Sequence, residues 1–160
     1  MPLFGLVINA ELEQVDRLFV ADGIWDIDVQ DALGNVSKIL EYDPESETSS
    51  PLQVWFDRAR ATMRHVSPEQ FKQHKTLKNK ICSSDYLPQD SGKDVLLGVF
   101  ECRGLEPVGA RLPFCVQDGE GDKKTIYPCT EINEGLWFRN AWNHEDQMIV
   151  ARPKLEFRRL

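Results

Sequence analysis

The sequence lacks the features that mark several large classes of protein. No stretch approaches the roughly 18 uncharged apolar residues of a membrane-spanning helix, and the N-terminal segment MPLFGLVINAELE has no basic region like that of a signal peptide. There is no G-x-S-x-G, no H-E-x-x-H, no phosphate-binding glycine loop and no Rossmann fingerprint. We therefore expect a soluble protein of the cytoplasm, with the nucleus as a second compartment, that is not an enzyme and has no membrane partner.

The four cysteines are irregularly spaced. None of Cys82, Cys102, Cys115 and Cys129 belongs to a C-x-x-C pair. Without a secretory signal, these residues are better interpreted as small buried hydrophobes than as disulfides. Together with the three isolated histidines they supply the ligand types of a metal site without its ligand spacing. We expect neither a bound metal nor a cofactor.

What is present fits a single globular domain over residues 1–160. Hydrophobic residues make up 41% and charged residues 28% of the chain, which is the range of globular proteins. The net charge of −7 makes general binding to a phosphate backbone unfavourable, so nucleic acid is not the expected partner. The sequence shows no internal repeat and no long linker that would divide the chain.

One segment departs from the acidic average. Between Arg58 and Lys80, seven basic residues accompany the single acid Glu69, so this segment carries about +6 and the rest of the chain about −13. A solvated basic face is one interpretation of the pattern. The other is a docking surface for an acidic partner, because complementary charge sets association rate and specificity. In that case the binding residues are Arg58, Arg60 and Arg64.

Alternating apolar residues predict a mainly β fold. Residues 4–12 and 24–30 carry apolar side chains at every second position, as half-buried strands do. The segment 31–35, with Gly34, is predicted to turn the chain into a partner strand. Further strands are expected at 36–42, 95–102, 111–116, 124–127, 135–139 and 147–157, and a turn at 118–122. Pro153 predicts that the last strand lies at an edge or carries a bulge.

The period changes in the middle of the chain. Apolar residues three or four positions apart favour an amphipathic helix between Pro51 and Ser67: Leu52, Trp55, Phe56, Ala59, Met63 and Val66. A second short helical turn is predicted between Pro68 and Leu77, and residues 43–51 and 83–94 are expected to be loops. The expected architecture is two coiled antiparallel sheets, packed as a sandwich or an irregular barrel, with one short helix.

The run from Arg103 to Pro107 interrupts a predicted strand. One interpretation is a β-bulge in which Gly104 takes positive φ and its charged neighbours hold an adjacent loop. The other is a partner-facing loop on a rigid sheet, with Arg103 and Glu106 as binding residues. Arg103→Ala with unchanged melting but lost partner binding would favour the second interpretation.

An aromatic cluster near the C-terminus also has two interpretations. Trp137 and Trp142 lie close together in sequence, in a polar segment between predicted strands. They belong either to the core or to a protein–protein interface, where tryptophan is enriched. We include both as candidate partner-binding residues.

Residues 100–108, FECRGLEPV, resemble a signature of the eukaryotic CXXC-motif-containing zinc-binding protein family. Other features resemble that family in the order in which they occur: Ala10-Glu11-Leu12-Glu13, an aromatic-led strand from Trp25, Thr130-Glu131-Ile132-Asn133, and a closing strand with Val150, Leu155 and Phe157. The resemblance covers nearly the whole chain and also implies a mainly β fold.

The chain departs from the family pattern at the zinc site. Family members resemble one another in two C-x-x-C pairs upstream of FECRG, which together bind a structural zinc through four thiolates. By this resemblance the first pair would fall near residues 30–33 and the second within 55–77, but the first cysteine of the chain is Cys82. The sequence therefore resembles a divergent member with a degenerate zinc site that has lost both pairs.

These observations predict a non-enzymatic adaptor or co-chaperone-like accessory protein, monomeric by itself, that binds another protein. The resemblance implies service to a cytosolic machine through a chaperone or a translation factor, for example biogenesis of a translation elongation factor with a zinc-finger chaperone. Two alternatives stay open. One is an enzymatic or small-molecule-binding β-domain with a pocket. The other is an RNA-binding protein that uses residues 58–80, with Trp55 and Phe56 as stacking groups.

Overall fold

The described part of the chain has a few internal gaps. The computed structural model describes all residues except 1, 14, 16, 20–24, 43–51, 57–58, 84, 113, 119–124, 130–134 and 140–146. The backbone alone is described for 19, 38–42, 52–53, 55, 59, 114–118, 125–129, 135–139 and 147–149. Arg58, Trp142, the predicted loop at 43–51 and most of the predicted turn at 118–122 therefore lie outside the described residues.

The chain is mainly β, as predicted. Its strands are β1 (Leu3–Glu13), β2 (Arg17–Phe19), β3 (Trp25–Gln30), β4 (Val36–Tyr42), β5 (Leu52–Phe56), β6 (Ala59–Val66), β7 (Asp85–Tyr86), β8 (Val95–Arg103), β9 (Glu106–Arg111), β10 (Phe114–Asp118), β11 (Thr125–Cys129), β12 (Gly135–Arg139) and β13 (Gln147–Arg159). The helix α1 spans Pro68–Phe71, and a single 3-10 turn spans Pro88–Asp90. No helix of the described residues is long and apolar enough to cross a membrane.

Hydrogen bonding divides the strands into three antiparallel sheets, where the sequence predicted two. The largest has the order β12-β13-β1-β8-β6-β5, the second β11-β10-β2-β7, and the third β4-β3-β9. All three contribute to one main core, so the sheets pack as a sandwich. Members of this core include Leu6, Ile8, Leu18, Ile27, Val29, Met63, Tyr86 and Phe100.

A smaller core lies on the opposite face of the six-stranded sheet. Because side chains alternate across a strand, Leu3 and Val99 point away from their neighbours Phe4 and Phe100, which belong to the main core. Phe71 of α1 and Leu77 of the following turns cover Leu3 and Val99. The segment after β6 therefore closes the outer face of this sheet.

The helix predicted between Pro51 and Ser67 is wrong. These residues form the hairpin of β5 and β6, in which Leu52 lies opposite Met63. Ala61 and Met63 are buried in the main core, whereas Val66, three positions after Met63, is buried in the smaller core on the other face of the sheet. Burial on both faces thus produces a spacing of three that imitates a helix.

The helical turn predicted between Pro68 and Leu77 is confirmed in part, as α1 followed by turns. Ser67 and Pro68 begin this helix, whereas the sequence suggested that they would end one. The backbone N–H of Ser67 donates to the side-chain oxygen of Gln70 at 3.1 Å, and the N–H of Gln70 donates to the Ser67 carbonyl at 3.0 Å. Pro68 fits because the first helical turn needs no N–H from it.

The remaining differences concern strand limits. The strand predicted at 111–116 divides into β9, which ends at Arg111, and β10, which begins at Phe114. The predicted loop at 83–94 contains the two-residue strand β7. β13 pairs with both β1 and β12, so it is not an edge strand. It carries the bulge that Pro153 predicted: the register shifts between Lys154 and Ala151, and Arg152 has a φ of 49°.

Candidate protein-binding site

Residues 103–106 carry the chain from β8 in the six-stranded sheet to β9 in the three-stranded sheet. Cys102 and Leu105 are buried in the main core, whereas Arg103 and Glu106 are exposed. Gly104 has a φ of 76°, as the bulge interpretation required, and a Cβ atom there would lie 3.4 Å from Cβ of Ala61. We call residues 103–106 the crossover.

The burial pattern of FECRGLEPV follows from this crossing. Phe100 and Cys102 fill the main core before the crossover, Leu105 is buried in the same core within it, and Pro107 is buried after it. The side chains of Arg103, Glu106 and Val108 point to solvent. The run of residues 100–108 therefore anchors two sheets to the same core and also presents charged and apolar side chains to solvent.

A cleft of about 780 Å³ opens at the crossover. Its lining consists of the crossover with Cys102, of Gln30, Asp31 and Ala32 at the end of β3, which we call the β3 wall, and of Pro2. The pairing of Gln30 with Glu106 brings the β3 wall and the crossover together. The cleft is thus a consequence of the β3–β9 register.

The β3 wall is held by its own turn. The Asp31 carboxylate accepts hydrogen bonds from the backbone N–H of Leu33 at 2.9 Å, from that of Asn35 at 2.8 Å and from the Asn35 amide at 3.0 Å. The side-chain bond from Asn35 is the main cause that lowers the Asp31 pKa. Gly34, with a φ of 86°, completes the predicted turn. Because Asp31 is engaged in this way, it supports the cleft wall.

The charges of the crossover are uncompensated. Within the described part of the chain, neither Arg103 nor Glu106 makes a side-chain hydrogen bond or an ion pair. Nearby arginines differ: Arg64 pairs with Glu101 at 2.6 Å, and Arg111 binds both carboxylate oxygens of Asp28 at 3.0 Å. The crossover therefore offers, at the edge of the cleft, one cation and one anion that pair with no other described residue.

Exposed apolar side chains accompany these charges. Leu33 is 85% exposed, Val36 62% and Val108 48%. Val36 and Glu106 both lie opposite Gln30, so they share one row across the outer face of the three-stranded sheet. Val108 is the extra residue of a bulge, since Asp28 pairs with Gly109 and Val29 with Pro107. We call Leu33, Val36 and Val108 the apolar rim.

The other predicted binding residues do not join this site. Arg60 is exposed on the outer face of β6, and Arg64 points to the same face but is paired with Glu101. Trp137 lies in β12, at the edge of the six-stranded sheet, with β13 and β1 between it and β8. Arg58 and Trp142 are outside the described residues. Among the predicted binding residues whose side chains the structure describes, Arg103 and Glu106 alone line the cleft.

The residues that sequence reasoning missed are those of the apolar rim. Leu33 and Val36 flank the turn at Gly34, and an apolar residue in a surface turn has no core to enter. Their position next to the predicted turn could therefore have predicted that they are exposed. Val108 had no such signal, because its exposure depends on the bulge in β9. Gln30 alternates with the apolar residues of its strand, which predicts an exposed side chain, but its position at a cleft depends on pairing with Glu106.

The described residues do not form a zinc site. They contain no group of three or more His, Cys, Asp or Glu side chains that could hold a metal ion. At residues 30–33, where the family resemblance places the first cysteine pair, Ala32 and Leu33 have no donor atoms. Cys102 is the one thiol of the cleft lining, and burial is the main cause that raises its pKa to about 12, so it is a neutral thiol. A structural zinc ion needs four ligands, each a cysteine thiolate or a histidine imidazole.

Comparison with known proteins finds the same fold elsewhere but gives no information on function. No protein-family model and no curated protein matches the chain. A solved structure described as a hypothetical protein from Plasmodium falciparum matches with a TM-score of 0.64 at 23% sequence identity, over 99% of this chain and 100% of that one. The crystal structure of C1orf123 matches with a TM-score of 0.67 at 15% identity, over 99% of each chain. At these identities the similarity shows a common fold.

Proposed function

We propose that this protein is a non-enzymatic adaptor that binds another protein at the crossover cleft. The observation that carries the proposal is a pair of exposed charges, Arg103 and Glu106, which pair with no other described residue and line the cleft next to the apolar rim. Buried residues on either side fix the backbone of the crossover, so binding would cost little ordering of this loop. An arginine and exposed apolar side chains on a rigid scaffold are typical of residues that dominate protein–protein affinity.

The arrangement favours a macromolecule over a small ligand. A cleft of about 780 Å³ has the size of a small-molecule pocket. However, Leu33, Val36 and Val108 are absent from the residues that line it. A small ligand inside the cleft would leave this rim in water, whereas a protein surface would cover the rim and the cleft together.

The RNA-binding alternative loses support from the position of Phe56. This residue was expected to stack on bases, but it is half-buried and packs against the main core. The side chain of Trp55, the second predicted stacking group, lies outside the described residues. Base stacking needs an accessible aromatic face, so we do not favour RNA.

The class of partner rests on the sequence resemblance alone. It supports a chaperone or translation factor, and specifically the biogenesis of a translation elongation factor with a zinc-finger chaperone. Depletion of the protein would then reduce the soluble fraction of newly made elongation factor. An unchanged soluble fraction would remove this partner while leaving the adaptor proposal intact.

The adaptor proposal is tested by quantitative mass spectrometry of proteins that co-purify with the tagged chain. The wild type is compared with Arg103→Glu, Glu106→Arg and the control Arg159→Glu, which reverses an exposed arginine outside the cleft. We expect one stoichiometric partner that the two crossover variants lose and the control keeps. No partner above background, or retention by both crossover variants, would contradict the proposal and lead to a metabolite screen.

A further inference from the structure

A second surface lies on the turns after α1, in the most basic part of the chain. Lys72, Lys75, Lys78 and Lys80 are all exposed there. None of the four forms an ion pair with another described residue. None lines the crossover cleft. The main function proposed above therefore does not use these charges.

An exposed isoleucine continues this surface. Ile81 is 85% exposed, although the residues that frame it are anchored. Leu77 is fully buried in the smaller core, and Cys82 packs against the same core. Between these two anchors the chain presents Lys78, Asn79, Lys80 and Ile81 to solvent. We call Lys72, Lys75, Lys78, Lys80 and Ile81 the lysine platform.

The platform has a fixed backbone. The N–H groups of Leu77 and Lys78 donate to the His74 carbonyl at 3.2 and 3.0 Å, and the N–H of Lys80 donates to the Leu77 carbonyl at 2.9 Å. The His74 ring nitrogen Nδ1 accepts from the N–H of Thr76 at 3.1 Å. An apolar side chain in water on an ordered turn gains free energy when a partner covers it.

Charge and shape together define the partner. Four exposed lysines favour an anionic partner, and the exposed Ile81 favours one that carries an apolar side chain. An extended polyanion or an anionic bilayer would also face residues outside the basic segment. Those residues carry a net charge of about −13 and would repel it. A short peptide meets only charges within a screening length of about 8 Å. Single-stranded RNA would also need stacking groups, and Phe71, the aromatic residue of this segment, is buried.

We propose that the lysine platform binds an acidic protein segment that carries an apolar side chain. Carboxylates of the segment contact the lysines, and its apolar side chain covers Ile81. This second contact is separate from the crossover cleft, so that one protein holds two partners or two parts of one partner.

The test uses the full chain and a fluorescein-labelled peptide of alternating Glu and Leu residues, measured by fluorescence anisotropy. The double variant Lys78→Glu with Lys80→Glu should weaken binding about tenfold or more, because two attractions become repulsions. Ile81→Ser should weaken binding about threefold to tenfold. Two controls should bind as the wild type does: Lys93→Glu and Arg159→Glu, which reverse exposed basic residues outside both the platform and the cleft. Unchanged melting temperatures show that each variant is folded.

Specific outcomes overturn the proposal. A peptide of alternating Glu and Ser residues that binds equally well would show that Ile81 meets no apolar group. Equal loss with Lys93→Glu would show a general charge effect. Polyuridylate or phosphatidylserine vesicles that bind more tightly than the peptide, and depend on Lys78 and Lys80, would assign the platform to nucleic acid or to a membrane surface instead.

Discussion

The hydroxyl oxygen of Tyr86 lies 3.1 Å from the backbone nitrogen of Ala10 and 2.8 Å from its carbonyl oxygen. The N–H of Ala10 donates to this hydroxyl. The carbonyl oxygens of Asp90 and Lys93 lie 2.6 and 2.9 Å away, and the single hydroxyl proton can serve one of the three carbonyls at a time. The fully buried Tyr86 thereby joins β1 to the segment around the 3-10 turn.

Replacement of Tyr86 by Phe should lower the free energy of unfolding by about 1–3 kcal/mol. The variant keeps the ring but leaves the buried N–H of Ala10 without its hydroxyl acceptor. Urea unfolding followed by circular dichroism measures the change, and partner binding at the cleft should be unaffected. A loss below about 0.5 kcal/mol would show that water replaces the hydroxyl.

Acidification should destabilise the protein through His65. Burial lowers the His65 pKa from its ordinary 6.5 to about 4, and its ring lies 5.3 Å from that of Phe100. Between pH 6.5 and about 4 the His65 ring is protonated in the unfolded chain but not in the folded chain. The stabilisation from the neutral ring is therefore fully present above pH 6.5 and is lost as pH decreases towards 4. The loss should reach at most about 3 kcal/mol.

The variant His65→Gln isolates this effect. The pKa of Asp94 is lowered from its ordinary 3.8, mainly by a hydrogen bond from Asn9, and that of Glu156 is lowered from 4.5, mainly by one from Arg158. The stability that these two carboxylates contribute is lost only below these ordinary values, at lower pH than the His65 effect. Urea unfolding at about pH 7 and about pH 5 should show a decrease for the wild type and much less for the variant. Equal decreases in both proteins would assign the effect to other groups.

Gly104→Ala should cost about 1–2 kcal/mol, because its φ of 76° is in the left-handed region. Gly92→Ala is the matched control, since Gly92 has a φ of 78° but no atom within 4 Å of an added Cβ. We expect similar losses of stability from the two variants, measured by thermal unfolding. Only Gly104→Ala should also weaken partner binding, because it displaces Arg103 and Glu106. Equal binding by both variants would contradict the rigid crossover.

Charge reversal should distinguish Arg64 from Arg103. Arg64→Glu places a second carboxylate beside Glu101 and should lower stability by about 1 kcal/mol. Arg103→Glu should change stability by less than about 0.5 kcal/mol, because the side chain is exposed and unpaired among the described residues. Thermal unfolding of both variants measures the difference. A larger loss at Arg103 would mean that this residue has a structural role.

Much of the sandwich was predictable from residue periodicity. In β1, β3 and β8 every second side chain enters one core, or the strand is buried over most of its length, and Gly34 marks the turn between β3 and β4. The hairpin of β5 and β6 was not predictable, because Met63 and Val66 enter different cores. The short strands β2 and β7 depend on each other, with Leu18 opposite Tyr86, and carry no periodic pattern of their own.

The site was predictable in its charges but not in its surroundings. Arg103 and Glu106 stand out because they interrupt an apolar strand around a glycine. The apolar rim depends on which face of β4 and β9 meets solvent, and sheet pairing decides that. Trp137 is a predicted partner-binding residue because tryptophan is enriched at interfaces, yet the strand order places it at another edge.

The adaptor account is tested most directly by site-specific photo-crosslinking in cells. A benzophenone amino acid replaces Leu33, which is 85% exposed on the apolar rim, or Lys93 as an exposed control outside the cleft. We predict that the partner captured by the wild type is crosslinked from position 33 and not from position 93, and that Arg103→Glu abolishes this crosslink. A partner crosslinked equally from both positions, or unaffected by Arg103→Glu, would contradict the cleft as its binding site.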